Sequence, residues 1–437
     1  MSKLNVVILA AGESTRMKSS TPKALHTLCG MPMVDYVLDA VKKTPAQRAA
    51  VVVNRKQVSF IDYLKTKKNV AIAFQEKPLG TADAVKAARK FFGKPNDTVL
   101  VMCVDTPLVR SQTLLALAEK HKESQAACTI LTAAVENPFS FGRIVRDQYS
   151  KVTSIVEEAD ASFSQKQIKE INSGIYCFRA NELLQSLAQV QLNQKKKEFY
   201  LTDIIKVLYE AGKTIQTFDC CDPDEILGIN SQQDLSKASD IMRRRILDGF
   251  MSEGVRIISP ETTFIDCGCV IGGDTTIKPF TVIESGVRIG QQCSIGPFCR
   301  LRKGSVVKDG THIGNFSEIN RSSLGKNCRM KHFGYLGDTT VGNAVNIGAG
   351  AVIANYDGKN KNQTVINDNS FIGCDTVIIA PAKIGKGAVT GAGSVVTRKS
   401  VVKDNSVVVG VPAKPIAKAE GPPKKPAVRA KEKHKKK

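Results

Sequence analysis

The chain has 437 residues, 42% of them hydrophobic and 24% charged, which is enough for about two to four domains with real cores and excludes global disorder. A formal charge of +22 favours anionic partners, but with no Trp and only 6% aromatic residues the chain is poorly supplied with stacking platforms for single-stranded nucleic acid. No apolar run reaches the roughly 18 residues of a membrane span, and MSKLNVVILAAGESTRM lacks a small-residue cleavage pattern, so the expectation is a cytoplasmic protein, neither exported nor membrane-spanning.

Residues 1–230 alternate short β-rich runs with helical patterns. Val6–Leu9, Ala50–Val53, Val70–Phe74, Val99–Val104 and Cys128–Leu131 read as strands; Val34–Lys43, Thr81–Phe92 and Gln112–Lys122 carry apolar residues at three- and four-residue steps and read as helices. Such alternation predicts a mainly parallel, Rossmann-like α/β sheet covered on both faces, with ligands at the carboxyl ends of its strands. Two strand ends carry chemistry. LAAGESTRM (Leu9–Met17), followed by TPK (Thr21–Lys23), offers backbone N–H groups around Gly12 and cations at Arg16 and Lys23, a cradle for polyphosphate that lacks the Walker pattern. VMCVDTPL puts Asp105 directly after a buried strand, where a single carboxylate suits Mg²⁺ shared with substrate phosphates. The Gly80-Thr81 turn in QEKPLGTADA lies at another strand end.

Residues 231–251 read as one linker helix, opened by Ser231 and Asp234 in N-cap spacing, with Leu235, Ala238, Met242 and Ile246 on one face and Gly249 near its end. From residue 252 to 413 a six-residue period takes over. Glycines after aliphatic residues fall at 290 and 296, at 314, at 342 and 348, and at 373, 385 and 391, with one break at NYDGKNKNQ, read as an ejected loop. Hexapeptide spacing predicts a triangular β-solenoid whose flat faces favour a homo-oligomer, a trimer suiting a three-sided prism. His332, in KHFGYLGD, stands out there as a candidate general base. Residues 414–437 are Lys-, Pro- and Ala-rich, carry +8 of the net charge, and are expected to be disordered; this tail is the one segment suited to a polynucleotide. The twelve cysteines lack paired CxxC spacing, so neither structural zinc nor a disulfide framework is expected.

LAAGESTRM, TPK, LGT, VDTPL, FGRI, IVEEAD, INSGI and YLTDII, in that order and followed by GPFCRLR, GNFSEI, YLGD, NIGAGAVIANYDGKNK and GVPAKP, closely resemble the bacterial bifunctional N-acetylglucosamine-1-phosphate uridyltransferase/glucosamine-1-phosphate acetyltransferase family over residues 4 to 413. The resemblance implies a nucleotidyltransferase domain, then a left-handed parallel β-helix, and synthesis of UDP-N-acetylglucosamine for peptidoglycan, lipopolysaccharide and cell wall. On the matching positions Leu9, Ala10, Ala11, Gly12, Gln75, Gly80 and Thr81 would hold UTP, and Arg16 and Lys23 would neutralise its phosphates. Asp105 and Asn230 would hold Mg²⁺, while Gly142, Glu157 and Asn172 would bind the sugar. In the second half the resemblance makes His332 the base that activates the amine toward acetyl-CoA. Arg302, Tyr335, Asn346 and Lys361 would then contact the sugar phosphate, and Ala349, Asn355, Tyr356, Cys374 and Ala392 the acetyl-CoA; Glu318 would orient the imidazole.

The sequence departs from the family at Ser14 and Val104, where Gly is usual, at Asn320, where a Lys helps bind the sugar phosphate, and near Gly410, where an Arg binds coenzyme A. Arg321 is adjacent to Asn320, but strand alternation would point it to the opposite face, so a raised KM for glucosamine 1-phosphate is expected. Two competing readings are a monofunctional nucleotidyltransferase whose solenoid only assembles it, and a non-enzymatic regulatory subunit. The first would lack His332 and the NYDG loop, and the second would tolerate loss of Arg16, Lys23 or Asp105; all are present.

Overall fold

A computed structural model describes residues 2–12, 15–46, 48–194 and 197–416; Ser14 and most of the basic tail lie outside the described residues. The chain divides into two compact units, Met1–Arg245 and Ile246–Lys437.

In the first unit the runs of Val, Ile and Ala become the strands β1 (Leu4–Leu9), β2 (Ala49–Asn54), β3 (Val70–Gln75), β4 (Thr98–Cys103) and β5 (Cys128–Ala134). They are joined by β6 (Arg143–Arg146), β7 (Val152–Val156), β8 (Glu170–Arg179) and β9 (Ile215–Asp219). The sheet order is β9-β5-β8-β4-β1-β2-β3, with β6 and β7 attached beside β8. Strands β1 to β4 pair in parallel. Their residues face alternately into two buried clusters, Val7 and Val101 on one side and Ile8, Val51 and Met102 on the other, as a sheet covered on both faces requires. The parallel expectation fails at β8, which runs antiparallel to both neighbours in mid-sheet, and at β6 and β7, which pair antiparallel beside it. Its pairing to β5 shifts register between Asn172 and Tyr176, around Gly174 at φ +77°. That bulge breaks the two-residue alternation by which a strand is read. The helix expected over Thr81–Phe92 is regular only to Ala87, with a 3₁₀ turn at Arg89–Phe91.

The connecting helix runs Gln232–Ser252, past Gly249, and ends before Gly254 at φ +86°. At its start the Ser231 hydroxyl accepts from the Asp234 amide at 3.2 Å while the Asp234 carboxylate accepts from the Ser231 amide at 2.9 Å, a reciprocal cap. Leu235, Ala238 and Met242 pack with Leu28, Met33 and Leu108, whereas Ile246 and Leu247 belong to the core of the second unit.

The second unit is a left-handed parallel β-helix of three sheets, its strands up to Val407–Val409 pairing in parallel from coil to coil. One inward aliphatic per hexad fills its axis, Ile265, Ile283, Leu301 and Ile319 stacking on one face and Ile271, Ile289 and Val307 on the next. Phe280, Phe298 and Phe316 form an exposed ladder on one corner, with centroids 4.7 and 5.1 Å apart. The hexad is interrupted more than once. Between buried aliphatics the step is five residues from Ile319 to Leu324 and again from Leu336 to Val341, and 13 from Ile353 to Ile366. All three irregular steps fall on the same corner in successive coils. Only the last of these, the ejected loop, shows as a break in the sequence, because a missing residue leaves no visible insertion. Lys414–Ile416, expected to open the tail, instead pairs antiparallel with Val407–Val409 as a closing strand.

Candidate functional site

The first site is a cavity of about 520 Å³ over the carboxyl ends of β1, β3 and β4, lined among others by Leu9–Gly12, Arg16, Lys23, Gln75, Gly80, Thr81, Asp105 and Asn230. Three backbone features build it. β1 is held between β2 and β4, Ala10 donating to Val52 and Val104 to Leu9, so the turn at Ala11–Gly12 emerges above a rigid strand. Gly80 has φ +107° and ψ 178°, and a Cβ there would lie 2.5 Å from the Phe199 carbonyl oxygen; glycine is required. Buried Gln75 donates to the Gly80 carbonyl at 3.0 Å and to Asp83 at 2.9 Å, locking that turn.

The cations and the metal candidates meet at one point. The Lys23 ammonium lies 2.6 Å from Asp105 Oδ2 and 2.8 Å from Asn230 Oδ1, and Arg16 donates to the same Asn230 oxygen at 2.9 Å. Two hard oxygen donors, one charged and one neutral, therefore converge on a single cation, a donor set that fits Mg²⁺ completed by substrate oxygens. No group of three or more His, Cys, Asp or Glu suited to a metal occurs among the described residues, so the protein alone does not supply a closed cage. Asn230 owes its place to the helix cap, its amide donating to Asp234 at 2.9 Å, while the Ile229 amide bonds the Asp105 carbonyl at 2.8 Å. Val104, where an open Gly was the norm, is buried and still lines the cavity. Cys103 also lines it, but burial pushes its thiol up to about 12, which removes it as a nucleophile.

Gly142, Glu157 and Asn172 form a separate cluster outside the set lining that cavity. The Asn172 amide donates to the Gly142 carbonyl at 2.8 Å, and a Cβ on Gly142 would meet Ile155 at 2.9 Å and the Glu157 carboxylate at 3.4 Å. Burial lifts the Glu157 carboxyl above its ordinary value, and Asp203 and Asp160 add to this against a 3.3 Å hydrogen bond from Thr202. Beneath the cluster lies Arg143, 1% exposed, bonded to Glu158 at 2.6 Å and to the Phe141 carbonyl. Sequence reasoning missed Arg143 and also Glu198, which lines the cavity from a loop with no periodic signal.

On the solenoid all the assigned residues except Asn346 collect along one face and its two corners. At the first corner His332 is exposed, and the corners Gly348–Gly350, Gly373–Asp375 and Gly391–Gly393 stack coil upon coil beyond it. Gly350 donates to Phe333 at 2.8 Å, Asp375 to Ala349 at 2.7 Å and Gly393 to Cys374 at 2.8 Å. Ala349, Cys374 and Ala392 thus form a line rising from His332, one coil or about 4.8 Å per step. Side chains are excluded at Gly348 and Gly373, where a Cβ would lie 2.5 Å from the next coil's backbone. Tyr335 lies on the face between the corners, in register with Glu318 and Val352. Asn346 sits on the adjacent face, in the strand that runs into the Ala349 corner.

The second corner is the irregular one. Arg321 and Asp338, at the two shortened steps, have φ +48° and +51° and form a bidentate pair at 2.6 and 2.8 Å. Asp338 also accepts from Asn355, at the neck of the ejected loop, and nearby Arg321, Asn355 and Lys361 hold its carboxyl below the ordinary range. Strand alternation does not govern Arg321 here. Past the end of the strand Ser317–Asn320, its left-handed backbone turns the guanidinium back to Asn320 Oδ1 at 2.9 Å, so a cation does stand beside the position where the family has its Lys. Glu318 bonds Arg302 at 3.0 Å, which leaves no described contact by which it would orient His332. Gly410, at φ +90°, accepts from the Val395 amide at 3.1 Å in a turn that a side chain would strain.

Residues 5–222 match the family described as nucleotidyl transferase, and residues 268–303, 286–321 and 363–398 match the bacterial transferase hexapeptide repeats. The chain is 40% identical over 424 residues to the bifunctional protein GlmU of Carboxydothermus hydrogenoformans, covering 90% of this chain and 94% of that one. It is 37% identical over 446 residues to the same protein of Geotalea daltonii, covering 94% and 97%. Against that of a Geobacillus species it is 40% identical over 430 residues, covering 91% and 93%.

Proposed function

The chain belongs to the bifunctional GlmU family, and from that premise we propose how its two units divide one synthesis. It is an enzyme that makes UDP-N-acetylglucosamine, acetylating glucosamine 1-phosphate and then transferring UMP from UTP to N-acetylglucosamine 1-phosphate. The observation that carries the uridyl half is the convergence of Lys23, Arg16, Asp105 and Asn230 at the wall of one cavity.

In that cavity the backbone of Leu9–Gly12 and the Gly80–Thr81 turn hold the nucleotide, and Arg16 and Lys23 face its phosphates. An oxygen of the sugar 1-phosphate bonds to the α-phosphorus while the bond to the pyrophosphate leaving group breaks. No protein nucleophile takes part, so the residues act by alignment and by charge already in place. When bound at Asp105 and Asn230, Mg²⁺ would supply further neutralisation of phosphate charge. Gly142, Glu157 and Asn172 hold the sugar through its hydroxyls, Glu157 as acceptor.

On the β-helix the stacked corners of Ala349, Cys374 and Ala392 carry the coenzyme A arm of acetyl-CoA toward His332. The imidazole takes a proton from the glucosamine amine as the amine nitrogen bonds the thioester carbon, and it returns that proton to the sulfur as the C–S bond breaks, releasing the thiol. Arg302, Tyr335 and Lys361 hold the sugar phosphate from the face and second corner, with Arg321 standing in for the missing Lys at position 320. Asn355 and Tyr356 close over the acetyl donor. The exposed phenylalanine ladder supports a homotrimer through the β-helix, and no helix among the described residues is long and apolar enough to cross a membrane.

The test offers the purified protein UTP with N-acetylglucosamine 1-phosphate and, separately, acetyl-CoA with glucosamine 1-phosphate, following pyrophosphate and free thiol. Both products are expected, pyrophosphate only with Mg²⁺. Pyrophosphate without thiol would overturn the acetyl half.

A further inference from the structure

The ejected loop leaves the solenoid at the corner where the hexad fails, and its turn is organised by one carboxylate. Asp357 accepts from the Lys359 amide at 3.0 Å, the Asn360 amide at 2.7 Å and the Asn362 side chain at 3.0 Å, and these bonds shape the turn locally. Its fourth partner is not local: Arg398 donates to Asp357 Oδ2 at 2.9 Å. Arg398 follows the strand Val395–Val396 on this same corner, and that strand lies two coils beyond the loop's own strand, Ala351–Ala354. The loop therefore lies back along the corner over about 10 Å of solenoid, and its far end is fastened there. Its neck is fastened separately, by Asn355 on Asp338 and by the Asn362 amide on the Asn355 carbonyl at 2.7 Å. The Asn360 amide, the Asn362 side chain, the Lys359 amide and Arg398 hold the Asp357 carboxyl well below its ordinary range, so it is ionised at neutral pH.

We propose that Arg398 is a positioning residue for acetyl transfer, clamping the loop through Asp357 so that Tyr356 and Lys361 are set in advance for the sugar phosphate and acetyl donor. The proposal rests on the acetyl-transfer reading above. Tyr356 and Lys361 are both exposed and pair with each other as a single bridge across the loop, so their placement depends on what holds the loop's two ends. Arg398 is itself about half exposed, its side chain 46% accessible against 19% for Asp357, which makes the clamp a modest contribution and not a folding determinant.

The experiment compares Arg398→Gln, Arg398→Lys and Asp357→Asn in the full chain. Arg398→Gln is expected to raise the KM for glucosamine 1-phosphate about fivefold, the scale of a partly exposed ion pair, with kcat within about twofold and uridyl transfer unchanged. Arg398→Lys, which keeps the charge, is expected to recover most of that loss, and Asp357→Asn to reproduce it. In parallel, trypsin cleavage after Lys359 and Lys361, both exposed in the loop, should accelerate in Arg398→Gln and Asp357→Asn. Unchanged cleavage would refute the clamp itself. Faster cleavage with an unchanged KM would show a clamp without a positioning role and overturn the proposal. A wild-type protein that releases no thiol would overturn the acetyl-transfer reading and the positioning role with it, a result separable from the first two because the cleavage comparison needs no activity.

Discussion

Replacing Gly80 with Ala tests whether the nucleotide cavity depends on backbone shape. The added Cβ would sit 2.5 Å from the Phe199 carbonyl oxygen and 2.7 Å from its nitrogen, both main-chain atoms that cannot rotate away. An ordinary carbon–oxygen contact is about 3.3 Å, so one segment must shift by roughly 0.8 Å. The φ of +107° with ψ 178° is a region essentially reserved for glycine, costing about 1–3 kcal/mol for any other residue, and overpacking adds about 1–3 kcal/mol. Together these should lower the melting temperature of the first unit by about 5–15 °C. The shift carries the Gly80 carbonyl off Gln75 and moves Thr81, whose hydroxyl accepts from Leu201 at 2.9 Å. A misplacement of that size costs on the order of 10²-fold in turnover at an aligned displacement. The assay follows pyrophosphate and thiol release on the same preparation with a thermal melt. Uridyl transfer should fall about 10²-fold while acetyl transfer is unchanged. Gly80→Ala protein with wild-type uridyl kinetics and an unshifted melt would refute the role given to this turn.

Lys23→Met removes the ammonium shared by Asp105 and Asn230 and should cost about 10²–10³-fold in pyrophosphate release, with thiol release intact; loss of both activities in a folded protein would contradict the separation of the sites. His332→Ala should lower thiol release by about 10²–10⁴-fold and leave pyrophosphate release unchanged, as measured in the paired assay. For Glu157 the sign follows from its raised pKa: burial disfavours the charged form, so it takes up a proton as pH falls from neutrality toward, but still above, the ordinary 4.5. The KM for N-acetylglucosamine 1-phosphate should rise over that range, and Glu157→Gln should flatten the profile; an equally steep profile in the variant would assign the titration elsewhere.

Periodicity made both units legible. The three-sided solenoid follows from one inward aliphatic per hexad, and the parallel sheet from apolar runs alternating with helical ones, because these patterns are set by neighbours in the chain. The phosphate cradle was legible for the same reason: Gly12, Arg16 and Lys23 all follow closely on one strand end, Leu9. Asp105 was legible as a lone carboxylate after a buried strand, but Asn230 was joined to it only through resemblance, since 125 positions separate them and only the fold brings their oxygens to one ammonium.

What the sequence by itself determined, then, is the repeating architecture and the residue types at each strand end. Tertiary structure decided the rest. The antiparallel β8 is chosen by its neighbours across the sheet and hidden in sequence by the bulge at Gly174. The two five-residue steps turn Arg321 and Asp338 into left-handed corners that face one another one coil apart, reversing the side assigned to Arg321 by alternation. Arg398 reaches Asp357 across 41 positions of chain. Local periodicity is written in adjacent residues, but which corner carries a deletion, and which charge stands opposite it, is fixed only when the coils stack.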